Sequence, residues 1–216
     1  AMSPDELRRF RWQDVAMDFQ SAMNSLNPVL TIGEQIVDIF TTHAGYSRKE
    51  SLRRAGGLLE LVRIDPARLK SYPHQLSGGM RQRAVIAMAV ALKPSLLILD
   101  EPTTALDVVV QQEIMAQIKD LQRELGFSVL IITHDMSLMV ELSHRMAVMY
   151  GGRIVETAKA QDVYANPRHP YTQALLACRP HLDREYNRLP TVDDFMEARE
   201  EQGELKIIEK KLDDKR

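Results

Sequence analysis

The sequence predicts an α/β fold built on a parallel sheet, and a few stretches carry that prediction. Leu96-Leu97-Ile98-Leu99 is an uninterrupted apolar run, the composition of a parallel strand covered on both faces, and it ends in Asp100-Glu101. Val129 to Thr133 is a second such run and delivers His134; a helical stretch of about Val108 to Leu125, with Gly126 as its C-cap, separates the two. Ahead of both, Ser77-Gly78-Gly79 opens an apolar helix of about Arg81 to Leu92. Ser77 is a preferred N-cap, and the glycines let backbone approach a ligand without a Cβ in the way.

At 216 residues, 44% hydrophobic and 27% charged, the chain can bury a sizeable core. A formal net charge of -2 gives no basic footprint for nucleic acid. No apolar run reaches the length of a membrane-crossing helix. The single cysteine, Cys178, excludes a disulfide framework within the chain and reads as a small apolar helix residue.

In chain order, Ser3-Pro4-Asp5-Glu6 has helix-start composition, with proline in the first turn and acids beside it. Val15 to Phe19 reads as a short strand delivering Gln20. From Thr31 to Thr42 apolar residues recur at helical spacing (Ile32, Ile36, Ile39), and again from Ser47 to Arg63 (Leu52, Leu58, Leu61), where Gly56-Gly57 weakens the helix. Met146 to Tyr150 and Arg153 to Thr157 flank Gly151-Gly152, a hairpin with a two-residue glycine turn. From Thr191 to Arg216 charges of both signs dominate, which predicts a solvated helix or a partly disordered tail.

These residues suit phosphate chemistry. The N-terminus of the helix after Ser77 presents free N–H groups and the positive end of a dipole, which attract an anion. In open α/β sheets ligands bind at the C-terminal ends of the strands. Two adjacent acids there suit a metal-assisted hydrolysis, with Asp100 holding Mg²⁺ and Glu101 polarising a water.

Leu76-Ser77-Gly78-Gly79-Met80-Arg81-Gln82-Arg83 resembles the signature sequence of ATP-binding-cassette ATPases, and Leu96 to Pro102 resembles their Walker B strand. Ala105-Leu106-Asp107 resembles the D-loop, Ile131 to Asp135 the switch-histidine strand, and Ala16 to Gln20 the strand ending in the Q-loop glutamine. Ser21 to Pro28 and Arg168 to Leu176 resemble the oligopeptide, dipeptide and nickel importer branch. The resemblance implies a P-loop NTPase-type parallel sheet core, residues 1–22 and 82–166. It also implies an inserted helical subdomain, residues 23–81, ending in the signature, and a C-terminal extension with a charged tail, residues 167–216.

The same resemblance implies the roles. Glu101, His134 and Gln20 would be catalytic; Asp100 and Gln20 would meet Mg²⁺; Asp107 would serve the D-loop. Ser77, Gly78, Gly79 and Met80 would bind ATP across a head-to-tail pair with a second cassette subunit. Transmembrane permease subunits would dock on the helical subdomain and bring in a solute-binding protein indirectly, with no nucleic acid partner, placing the chain peripherally at the cytoplasmic face of the cell membrane. The function implied is hydrolysis of ATP coupled to uptake of peptides or a related solute.

One motif of such ATPases is not in the sequence. The phosphate cradle G-x-x-x-x-G-K-[S/T] wraps phosphates in backbone N–H groups and neutralises them with lysine. None of the ten glycines here is followed by lysine. The expectation is an N-terminally truncated cassette with little activity alone and strand side chains left uncovered. The alternatives are a fragment that only donates its signature face to a complete partner, and a soluble cassette protein of DNA repair or translation.

Overall fold

The computed structural model describes residues 2–18, 25–104, 106–178, 191–201 and 204–210. The chain divides into two compact units, Ala1–His134 and Asp135–Arg216.

The first unit opens with α1 (Pro4–Arg9), started by a capping box in which Ser3 and Glu6 bond each other's backbone N–H groups. Phe10–Asp14 then kinks at Trp12, whose φ is 83° and whose ring stacks on His43 at 5.4 Å. Strand β1 (Val15–Asp18) follows; the predicted Phe19 and Gln20 lie outside the described residues. Two helices come next, α2 (Ile32–Ala44) and α3 (Arg48–Leu61), N-capped by Thr31 and Ser47. Ile32, Ile36 and Ile39 are buried as the sequence predicts. Helix α3 forms where the sequence predicts, but of its apolar residues Leu52 is exposed and Leu58 and Leu61 are half-buried; the buried stripe is Ser51, Ala55 and Leu59, spaced by four. Leu52 follows Ser51 by one position, about 100° round the helix, and so falls off the buried stripe.

The rest of the unit builds the sheet. Helix α4 (Gly78–Val90) leads to β2 (Leu96–Asp100), α5 (Val108–Leu125) and β3 (Ser128–Ile132). Gly126 ends α5 in the left-handed region at φ 77°, as its C-cap role requires. The strands order as β1-β2-β3, all parallel, with Asp18 opposite Leu99 and Asp100 opposite Ile132.

Among the described residues the strands are covered on one face only. Ala16, Asp18, Leu97 and Leu99 are buried on the side where α4 packs on β1 and on α5. On the opposite side Met17, Leu130 and Ile132 stand 40%, 49% and 47% exposed. A continuous apolar run has the same composition whether one or two layers cover it, so composition alone suggested cover on both faces, while the expectation of strand side chains left uncovered agrees with this exposed row.

The second unit holds α6 (Met136–Leu142), then the predicted hairpin of β4 (Arg145–Tyr150) and β5 (Arg153–Lys159). Gly151 and Gly152 both take positive φ, 55° and 76°, the demand of a type I′ turn. Helices α7 (Ala160–Ala165) and α8 (Pro170–Ala177) follow. The carboxylate of Glu156 accepts from the N–H groups of Arg168 and His169 at 2.9 and 3.0 Å, tying the entry to α8 onto β5. The predicted solvated tail is corrected in its described part: a turn of helix α9 (Val192–Phe195) leads into an antiparallel hairpin of β6 (Met196–Glu201) and β7 (Glu204–Glu209), with Phe195 and Met196 buried. Those apolar anchors, few among many charges, order the segment.

Candidate functional site

The parallel pairing of β2 with β3 brings Asp100, Glu101 and His134 to one sheet edge. Glu101 leaves the strand with φ 51°, an unusual conformation for a residue with a Cβ and of a kind found at functional sites. Its N–H still donates to the Ile132 carbonyl at 2.9 Å, so the ladder holds while the side chain turns toward β3. There Glu101 Oε1 accepts from the His134 N–H at 3.2 Å and from His134 Nδ1 at 2.7 Å, and Oε2 accepts from the Thr104 hydroxyl at 3.0 Å. The His134 side chain is 82% exposed against 18% for Glu101, so the pair faces open solvent through the imidazole. Partial burial pushes the Glu101 carboxyl up, but the bonds from His134 and Thr104 and the histidine charge outweigh it and hold the group below its ordinary value. Glu101 is therefore an anion whose geometry is fixed from both oxygens.

Asp100 stands half-buried at the same strand end. No group of three or more His, Cys, Asp or Glu among the described residues is arranged to hold a metal ion. Mg²⁺ does not need one, because it binds through one or two carboxylates plus substrate phosphates and waters. A single carboxylate at the C-terminal end of a parallel strand fits that pattern.

A second corner is made by two helix starts. Ser77 caps α4, its Oγ accepting from the Met80 N–H at 3.3 Å, and the helix begins at Gly78, three residues before the predicted start. Asp107 caps α5, its carboxylate accepting from the Val110 N–H at 2.9 Å. The two starts pack on each other so closely that a Cβ on Gly79 would lie 2.7 Å from Val110 Cγ1, and one on Gly78 3.4 Å from Leu106 Cδ2. Glycine is thus needed at position 79 for packing. Ser77, Gly78, Gly79, Met80 and Asp107 come together here; Gln20 lies outside the described residues.

The sequence reading missed Asp18 and Gln82. Gln82 Nε2 donates to Asp18 Oδ2 at 2.8 Å in a buried bond between α4 and β1. Burial drives the Asp18 carboxyl up to about 6, with the Gln82 bond opposing and the Asp100 charge adding to the rise. A signal was present: within Val15-Ala16-Met17-Asp18 the acid shares the parity of Ala16, the inward face.

The model of the ABC transporter family matches residues 2–104, and that of the oligopeptide/dipeptide transporter C-terminal region matches residues 155–204. A putative peptide import ATP-binding protein of Brucella melitensis is 50% identical over 184 residues, 84% of this chain and 54% of that protein. The glutathione import ATP-binding protein GsiA of Salmonella typhimurium is 50% identical over 182 residues, 83% of this chain and 29% of that protein. The chain thus spans about half the length, or less, of these relatives. Among solved structures, a dimeric ATP-binding cassette in a post-hydrolysis state with ADP and Pi is 31% identical with a TM-score of 0.63, covering 74% of this chain and 68% of that one. CbiO1 of Clostridium perfringens, part of an ABC transporter complex, is 28% identical with a TM-score of 0.67, covering 76% and 64%. The chain belongs to the ATP-binding-cassette ATPases of ABC transporters, in the oligopeptide importer branch.

Proposed function

We propose that this chain supplies the hydrolytic edge and the signature face of an importer ATPase that couples ATP hydrolysis to uptake of peptides or a related solute. The contact of Glu101 with His134 beside Asp100 carries the proposal. Asp100 would hold Mg²⁺, which when bound neutralises charge on the transferred phosphoryl group. Glu101, kept ionised, polarises the attacking water. His134, its ring fixed through Nδ1, meets the γ-phosphate through Nε2, and Gln20 senses that phosphate from the end of the segment after β1. Ser77, Gly78, Gly79 and Met80 present helix-start amides to the ATP of a second cassette paired head to tail, with Asp107 bracing that corner. Permease subunits dock on the helical subdomain, residues 23–81, at the cytoplasmic face of the membrane.

A second reading has its own support. These 216 residues contain no Gly-Lys pair and so no phosphate cradle, which favours a chain that completes a partner's site and binds nucleotide weakly by itself. Two measurements test the proposal. Isothermal titration of the chain with Mg-ATP should show no tight site, and a dissociation constant near 1 μM, about -8 kcal/mol, would contradict that. Joining the upstream segment of a Brucella relative to residue 2 should give ATP turnover; a chimera that binds ATP and never hydrolyses it would leave only the signature-donor reading.

A further inference from the structure

The bond between Gln82 Nε2 and Asp18 Oδ2 spans 64 residues of sequence and is buried at both ends. Asp18 Oδ1 has no hydrogen-bond partner among the described residues. A carboxylate so placed is costly to bury, and an apolar side chain of similar size would serve the core better. The effect of the bond is geometric. Asp18 ends β1 two residues ahead of Gln20, opposite Leu99 and next to the strand end that carries Asp100. Gln82 lies four residues beyond Gly78, about 6 Å along the helix axis. A directional bond at that point fixes both the slide and the rotation of α4 on β1, which apolar packing alone leaves softer.

We propose that Asp18 is a positioning residue: through Gln82 it sets where the glycine-rich first turn of α4, Ser77 to Met80, stands relative to the strand leading to Gln20. Its bearing on nucleotide rests on the function proposed above, but the linkage needs no nucleotide and is tested without one. Amide hydrogen exchange is measured across α4 in the full chain and in Asp18→Leu, Asp18→Asn and Gln82→Met, with urea unfolding measured alongside. Leucine and methionine keep the volume and lose the bond; asparagine keeps an acceptor for Gln82.

In Asp18→Leu and Gln82→Met, the Met80 and Arg81 amides, which donate to Ser77, should exchange ~10-fold faster than in the unmodified chain, whereas Ala87 to Val90 should follow global stability only. Asp18→Asn should keep the original first-turn rates. Unchanged first-turn exchange in the leucine and methionine variants, acceleration spread evenly along α4, or an asparagine variant as fast as the leucine one would each overturn the proposal. Should Asp18→Leu fail to fold, Gln82→Met against Asp18→Asn makes the same comparison. A failure of the ATP experiments leaves these rates untouched, so the two readings fall separately.

Discussion

Replacing Asp18 with asparagine should stabilise the protein, and by more at neutral pH than in acid. The folded chain holds the Asp18 carboxyl at about 6 against an ordinary value of 3.8, chiefly because it is buried. A raised acid pKa means that the fold favours the neutral form. Below about pH 3.8 both folded and unfolded chains are protonated and the site costs nothing; as pH rises toward 6 the unfolded chain releases its proton first and stability falls. Above 6 the full penalty applies, roughly two pH units at 1.36 kcal/mol each, or about 3 kcal/mol. Asparagine accepts the same Gln82 bond and does not titrate. Urea unfolding followed by circular dichroism should therefore show Asp18→Asn more stable by about 1.5 kcal/mol at pH 5 and about 3 kcal/mol at pH 7.5. A difference that is flat with pH, or that shrinks as pH rises, would refute the burial argument.

Two further outcomes follow from the same layer. Gly79→Ala places a methyl group 2.7 Å from Val110 Cγ1, a β-branched side chain with little freedom. Helix propensity alone would favour alanine by about 1 kcal/mol, so a measured loss of about 1 kcal/mol, relieved by Val110→Ala, identifies the close approach, and a simple gain would deny it. Met17 on β1 and Leu130 and Ile132 on β3 expose apolar side chains on one face of the sheet, a kind of surface that soluble monomers rarely leave in water. The 216-residue chain should self-associate in light scattering and bind a hydrophobic dye, less so as Leu130→Lys; a monodisperse monomer that binds no dye would show the face to be covered in solution.

Local chemistry was legible in the sequence, and what lies across space was not. Thr31, Ser47 and Ser77 announce helix starts, Gly126 a helix end and Gly151-Gly152 a hairpin, because each meets a demand of its own few residues. Asp100, Glu101 and His134 were legible as a group because parallel strands deliver their C-terminal ends to one edge. The Asp18–Gln82 bond joins positions that no local pattern connects, and the inward stripe of α3 runs through Ser51 and Ala55, which hydrophobicity alone does not mark. The tail misled for the opposite reason: its charges suggested solvation, while Phe195 and Met196 anchor it.

Whether Glu101 is the carboxylate that acts on the water is decided by Glu101→Gln in a cassette that carries an upstream phosphate cradle. Glutamine keeps the shape and can still accept from His134 and Thr104, but it carries no charge. ATP turnover should fall ~10²–10⁴-fold, the range of a general base, while ATP-dependent pairing of two cassettes persists. Turnover that stays unchanged would move the role from Glu101 to His134.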